Sequence, residues 1–96
     1  MTNELIEIIK KVKQKITDRS DMTWTTYETP AQLRDELEVY INQFQADDIS
    51  SLEKIKMLFL PTGTLQEHSI CNGWTDEFLN LSTEFDRLYM TIKRYN

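Results

Sequence analysis

Residues 29–44 read TPAQLRDELEVYINQF, and this stretch carries the strongest helix pattern in the chain. Thr29 is a favourable N-cap residue, Pro30 suits the first helical position, and Gln32 can complete a capping box. The apolar residues that follow recur every three or four positions and form one stripe: Leu33, Leu37, Tyr40, Ile41 and Phe44. This spacing predicts an amphipathic helix, whose apolar face must be buried against other parts of the molecule.

Four further segments begin at a capping residue and continue with apolar residues at helical spacing. The first predicted helix runs from Glu4 to about Thr17, after the N-cap Asn3. Two shorter helices begin at capping boxes: one runs from Ser50–Glu53 to the residue before Pro61, and the other from Thr64–Glu67 to Asn72-Gly73. The last predicted helix runs from Asp76 to about Arg94, after the cap Thr75. Asp47-Asp48 ends the helix that Thr29 begins. The connections are short, which favours antiparallel packing of neighbouring helices.

The sequence therefore predicts an all-α fold, a small up-and-down bundle of four to five helices in which residues 1–96 form a single domain. A chain of 96 residues can bury one core of helix faces but leaves little room for an enclosed cavity. A binding site is expected on the surface or between helices. The predicted core consists of Leu5, Ile9, Leu33, Leu37, Ile41, Ile55, Leu58, Phe78, Leu81, Phe85 and Leu88.

Residue types that several kinds of chemistry require are scarce in this chain. Cys71 is the one cysteine, so neither an internal disulfide nor a four-cysteine zinc site can form. Gly63 and Gly73 are the two glycines, too few for a phosphate-binding loop or a dinucleotide fingerprint, and no acidic calcium loop surrounds either of them. We therefore expect neither a metal nor a cofactor.

The chain is expected to be cytoplasmic. Its longest apolar run, Met57 to Leu60, is far shorter than the ~20 residues that span a bilayer. The N-terminus shows no apolar stretch of signal-peptide length, and a single cysteine suits a reducing compartment. These features predict no membrane partner.

Charge is distributed unevenly along the chain. Residues 1–20 carry five basic and three acidic side chains, whereas residues 21–90 carry four basic and thirteen acidic ones. The acidic middle should repel polyanions, which argues against nucleic acid as the main partner. The lysines of the first helix are interpreted as a solvated face.

His68 and Cys71 are the one place where reactive groups gather. Three positions apart on a helix, they share a face and suggest a thiolate–imidazole pair. No orienting carboxylate or oxyanion hole accompanies them, so a small buried hydrophobic cysteine and a partly exposed histidine are the preferred interpretation. We predict no catalytic residues and no enzyme activity.

Residues 65–86 suggest an alternative function, because their spacing is typical of a DNA-binding helix-turn-helix unit with Gly73 in the turn. The second helix begins with Asp76-Glu77, however, and Asn80 is the one side chain near its start that suits base reading. A plain helical hairpin is the simpler interpretation.

The connection from Asp18 to Thr29 is polar but holds Trp24 and Tyr27, whose rings are expected to pack over the end of the bundle. Together with His68 and Trp74 they form the candidate interaction surface, because Trp and Tyr often anchor interfaces. The sequence thus predicts a non-catalytic protein–protein interaction module, a regulator, inhibitor or immunity-type protein whose acidic surface meets a basic partner. Homodimerisation is compatible with each hypothesis.

Overall fold

The computed structural model describes residues 2–61 and 63–95. Within these ranges the chain forms no strand and five α-helices: α1 (Thr2–Lys15), α2 (Pro30–Gln45), α3 (Leu52–Phe59), α4 (Thr64–Asn72) and α5 (Thr75–Tyr95). The predicted all-α fold is confirmed. The first helix begins two residues before the predicted start, Glu4, and ends two residues before the predicted end, Thr17.

Thr29 caps the N-terminus of α2 as its sequence predicts, whereas Gln32 reaches the residue before the cap and not Thr29 itself. Thr29 Oγ1 accepts a hydrogen bond from the backbone N–H of Gln32 at 3.2 Å, and Pro30 occupies the first turn. The Gln32 side chain in turn accepts from the N–H of Glu28 at 2.8 Å. These bonds satisfy amide groups that have no partner within the helix.

The other two predicted capping boxes do not form. Ser51 precedes α3, but its hydroxyl donates to Gln43 Oε1 of α2 instead of capping its own helix. The N-cap of α4 is Gly63, which has no side chain that could cap the helix. A Cβ atom at Gly63 would lie 2.8 Å from the carbonyl oxygen of Leu60 and 2.9 Å from that of Met57, so the tight turn out of α3 requires glycine.

Ion pairs at the helix surfaces show how the helices are arranged. Glu4 near the start of α1 pairs with Arg87 far along α5, whereas Lys15 at the end of α1 pairs with Glu77 at the start of α5. Thr2 likewise hydrogen-bonds Asp47 after the end of α2. Helix α1 is therefore antiparallel to both α2 and α5 and packs against each of them.

All five helices contribute to one hydrophobic core. Of the residues predicted for it, Leu81 alone is partly exposed, packing against the edge of the core. Phe59 of α3 stacks on Phe85 of α5 with 4.6 Å between ring centroids. Among the described residues no helix combines the length and the apolar character needed to cross a membrane.

Candidate interaction site

The connection between α1 and α2, residues 16–29, is held in one conformation by local hydrogen bonds. The N–H of Ser20 donates to the carbonyl of Thr17, and the N–H of Thr25 donates to that of Met22, both at 3.0 Å. The Asp21 carboxylate accepts bonds from the N–H and the hydroxyl of Thr23. These bonds make successive tight turns, a common use of Asp, Ser and Thr side chains.

Asn72, the last residue of α4, ties this connection to the helical bundle. Its Oδ1 accepts from the backbone N–H of Asp21 at 2.8 Å, and its Nδ2 donates to the carbonyl oxygen of Asp21 at 2.9 Å. The same Nδ2 donates to the carbonyl oxygen of His68 at 2.9 Å. One amide side chain therefore joins the middle of the connection to the last turn of α4.

A second tie joins the connection to α2. The Tyr27 hydroxyl donates to Glu36 Oε2 at 2.6 Å, and the Tyr27 ring packs against the core. Partial burial and the neighbouring Glu36 carboxylate raise the pKa of Tyr27 well above its usual value, so the hydroxyl keeps its proton at every physiological pH. The prediction that Tyr27 packs over the bundle agrees with its position.

Trp24 lies between these two ties and is 70 % exposed. The expectation that its ring would pack over the end of the bundle is wrong. The turn from Met22 to Thr25 explains the difference, because Met22 packs against the core and takes the inward position. Trp24 therefore projects into solvent from a backbone that is fixed on both sides.

His68 and Trp74 do not belong to an exposed surface, which corrects their assignment to the candidate interaction site. His68 is 0 % exposed and Trp74 is 5 % exposed. Gly73 ends α4 in the left-handed conformation, with a φ of 78°, and the turn brings Trp74 back over the helix. Trp74 Nε1 then donates to His68 Nδ1 at 2.9 Å in the interior.

The His68 ring leaves one polar atom without a partner. Because indole Nε1 is a donor, His68 Nδ1 is the acceptor, and the neutral ring carries its proton on Nε2. That Nε2 atom is buried and has no hydrogen-bond partner within residues 2–61 and 63–95. Burial lowers the pKa of His68, an effect that the negative charge of Asp21 partly offsets.

Cys71 and His68 lack the electrostatics of an activated nucleophile pair, in which the pKa of the thiol is lowered. Partial burial, followed by the charges of Asp21 and Glu67, raises the pKa of the Cys71 thiol and so disfavours the thiolate. The one acceptor atom of His68 is already bonded to Trp74. No group of three or more metal-ligating side chains occurs in the part of the chain that the structure describes.

The α4–α5 hairpin exposes carboxylates where a DNA-reading helix would need cations or amides. Asp76, Glu77 and Asn80 are exposed at the start of α5, and Glu77 pairs with Lys15 of α1 at 2.7 Å. A second helix with this charge would be repelled by phosphates. The hairpin is instead used to bury Trp74 against His68 and Phe78.

Sequence patterns missed the residues that fix the site, Asp21, Glu36 and Asn72. Asn72 lies at the helix end that the sequence predicts, but its side chain bonds to the backbone of Asp21, 51 residues away along the chain. Comparison with known proteins adds no family to this picture, because the chain matches no protein-family model, no curated protein and no solved structure.

Proposed function

We propose that the protein is a non-catalytic protein–protein interaction module that binds its partner through Trp24 and the connection that carries it. The observation that supports the proposal is the 70 % exposure of Trp24 on a segment tied to both α2 and α4. Tryptophan is among the residues most enriched in binding hot spots. A segment already fixed before binding loses little conformational entropy when a partner orders it further.

The charges around Trp24 favour a basic partner. Asp21 and Glu28 flank it in the sequence, and neither forms an ion pair with another described residue. An arginine or lysine of the partner could meet these carboxylates and lie over the indole face, where a cation–π contact adds about 0.5–2 kcal/mol. Opposite charge would also speed association at low salt.

Cys71 supports a cytoplasmic location as part of the same proposal. It is the one cysteine of the chain, and it is a free, half-buried thiol. A thiol without a partner persists most readily in a reducing compartment.

Affinity capture with matched variants tests this proposal. Tagged wild-type protein, Trp24→Ala and Met90→Ala are incubated with lysate at two salt concentrations, with nuclease treatment before mass spectrometry. Met90 is the control because it is 67 % exposed but lies on α5. We expect the wild type and Met90→Ala to capture the same basic proteins in equal amounts, and Trp24→Ala to lose them. The amount captured should fall as the salt concentration rises.

The binding constant of a captured protein then measures the contribution of Trp24. We expect Trp24→Ala to weaken binding at least tenfold, or about 1.4 kcal/mol, and Met90→Ala to change it less than twofold. Equal binding by both variants would contradict the proposal. Recovery of nuclease-sensitive DNA in place of a protein would favour the helix-turn-helix hypothesis.

A further inference from the structure

A continuous set of bonds joins the buried His68 to the segment that presents Trp24. The carbonyl of His68 and the backbone of Asp21 share the Asn72 amide as partner. Asp21 in turn holds Thr23, the residue before Trp24, by two bonds to one carboxylate oxygen. The conformation next to Trp24 thus depends on where the Asp21 carboxylate lies.

His68 is placed where a second proton would disturb this set from both ends. In the neutral ring Nδ1 accepts from Trp74, but in the imidazolium both nitrogens are donors, so two donors would face each other across 2.9 Å. The new charge would also be buried without a hydrogen-bond partner at Nε2. The negative charge that acts on the ring is that of Asp21, whose carboxylate now holds Thr23.

We propose that His68 is a proton-operated latch: when its imidazole takes up a second proton, it releases Trp74, draws the Asp21 carboxylate away from Thr23 and so loosens the segment that presents Trp24. Acidification is thereby converted into a change at the surface. If the protein binds a partner through Trp24, as proposed above, acidification would also release that partner. Only this consequence rests on the proposed function.

The charged groups around His68 determine the direction of this effect. The negative charge of Asp21, on the connection, acts on the ring, and bonds from Thr23 keep the pKa of Asp21 below its usual value, so it stays ionised in mild acid. Glu67, on the same helix as the ring, faces Cys71. On α3 and α5, the helices that pack against α4, Lys56 pairs with Asp86, Glu53 with Lys93, and Glu77 with Lys15 of α1. Lys54, Asp76 and Arg94 of the same helices form no ion pair with another described residue.

The burial of His68 therefore sets an upper limit to the pH at which the latch opens. Burial lowers the pKa of His68 from its ordinary value of 6.5, so the ring stays neutral at pH 7 and gains its second proton only below pH 6.5. The closed, Trp24-presenting form is the neutral-pH form.

Nuclear magnetic resonance of the free wild-type protein between pH 7.5 and 5 tests the latch without a partner. His68 is the one histidine of the chain, so its ring signals report its own protonation without ambiguity. We expect the amide of Thr23 and the indole signals of both tryptophans to shift with the midpoint of His68. A Thr23 amide that does not follow that midpoint, or amide signals of α1 and α2 that vanish over the same range, would overturn the latch.

Two variants separate the parts of the device. His68→Gln keeps an acceptor for Trp74 but does not titrate, so the shift at Thr23 should disappear. Asn72→Ala should leave the shift of the Trp74 indole but reduce that of Thr23. The proposal is contradicted if the pH-dependent shift of the Thr23 amide is unchanged in His68→Gln. If His68→Gln does not fold, an unchanged shift in Asn72→Ala contradicts it instead. Failure of these tests leaves the binding role of Trp24 intact, because they involve no partner.

Discussion

At the scale of single residues, the two tryptophans show how little a residue type says about its role. Trp74 lies in the interior with its indole N–H bonded to His68, whereas Trp24 projects from the surface with no such bond. Burial of an aromatic ring is a major stabilising contribution, and its polar atom then needs a partner. The same side chain therefore stabilises the fold at one position and is available for binding at the other.

Replacing each tryptophan by phenylalanine should separate these roles. Trp74→Phe removes the bond to His68 and leaves Nδ1 buried without a donor, which should lower the free energy of unfolding by about 1–3 kcal/mol. Trp24→Phe should change it by less than about 0.5 kcal/mol. Urea denaturation followed by circular dichroism measures both, and equal losses would show that Trp24 also supports the fold.

At the scale of elements, local rules succeed where a helix end is fixed by its own residues. The α2 cap follows from Thr29, Pro30 and Gln32 alone, and it forms as predicted. At α3 the helix begins one residue later than the predicted box requires, so Ser51 and not Ser50 is the N-cap, and the Ser51 hydroxyl bonds to Gln43, a partner supplied by another helix. Tertiary contacts of this kind cannot be derived from the spacing of residues within one element.

The left-handed C-cap between α4 and α5 gives a second stability prediction. With a φ of 78°, Gly73 adopts a conformation that costs a residue with a Cβ about 1–2 kcal/mol, although no atom blocks the space around it. We expect Gly73→Ala to lose about that amount in thermal or urea unfolding. Gly73→Asn should lose less, because Asn tolerates this conformation better; equal losses would point to a cause other than the backbone angle.

Burial within α4 was the feature hardest to predict from its sequence. His68 and Ser69 are fully buried polar residues on a helix with little apolar patterning. Ser69 bonds to the carbonyl of Gln66 at 2.7 Å, and His68 bonds to Trp74 beyond the helix. The apolar stripes of α1, α2 and α5 sufficed to predict the fold, but the spacing of residues along α4 does not show which partners allow these two polar side chains to enter the core.

At the scale of the whole molecule, the pH dependence of stability should show two steps. His68 has a lowered pKa in the folded protein, so the unfolded chain gains a proton first and stability falls below pH 6.5. One proton sets an upper limit of about 1.4 kcal/mol per pH unit to this step. Asp21, Asp48, Glu53 and Glu84 have lowered pKa values, so the stability they contribute is lost at lower pH, as each carboxylate is protonated.

The variant His68→Gln assigns the first step. We expect the free energy of unfolding of the variant, measured in urea at half-unit intervals from pH 7 to 3, to show no decline just below pH 6.5. The decline at lower pH, which comes from the carboxylates, should remain. A decline of the same size in the variant would show that another group titrates there.

The central position of α1 has a consequence for how the chain acquires its fold during synthesis. Helix α1 leaves the ribosome before the other four helices of the described chain, yet it packs against α5 as well as α2, as the pair Glu4–Arg87 with its separation of 83 residues shows. Its apolar side chains can be covered on one side as soon as α2 emerges, but the second side stays open until translation reaches α5. Until α5 has left the ribosome, an α1–α2 hairpin therefore keeps apolar side chains exposed, and such surface is prone to aggregate.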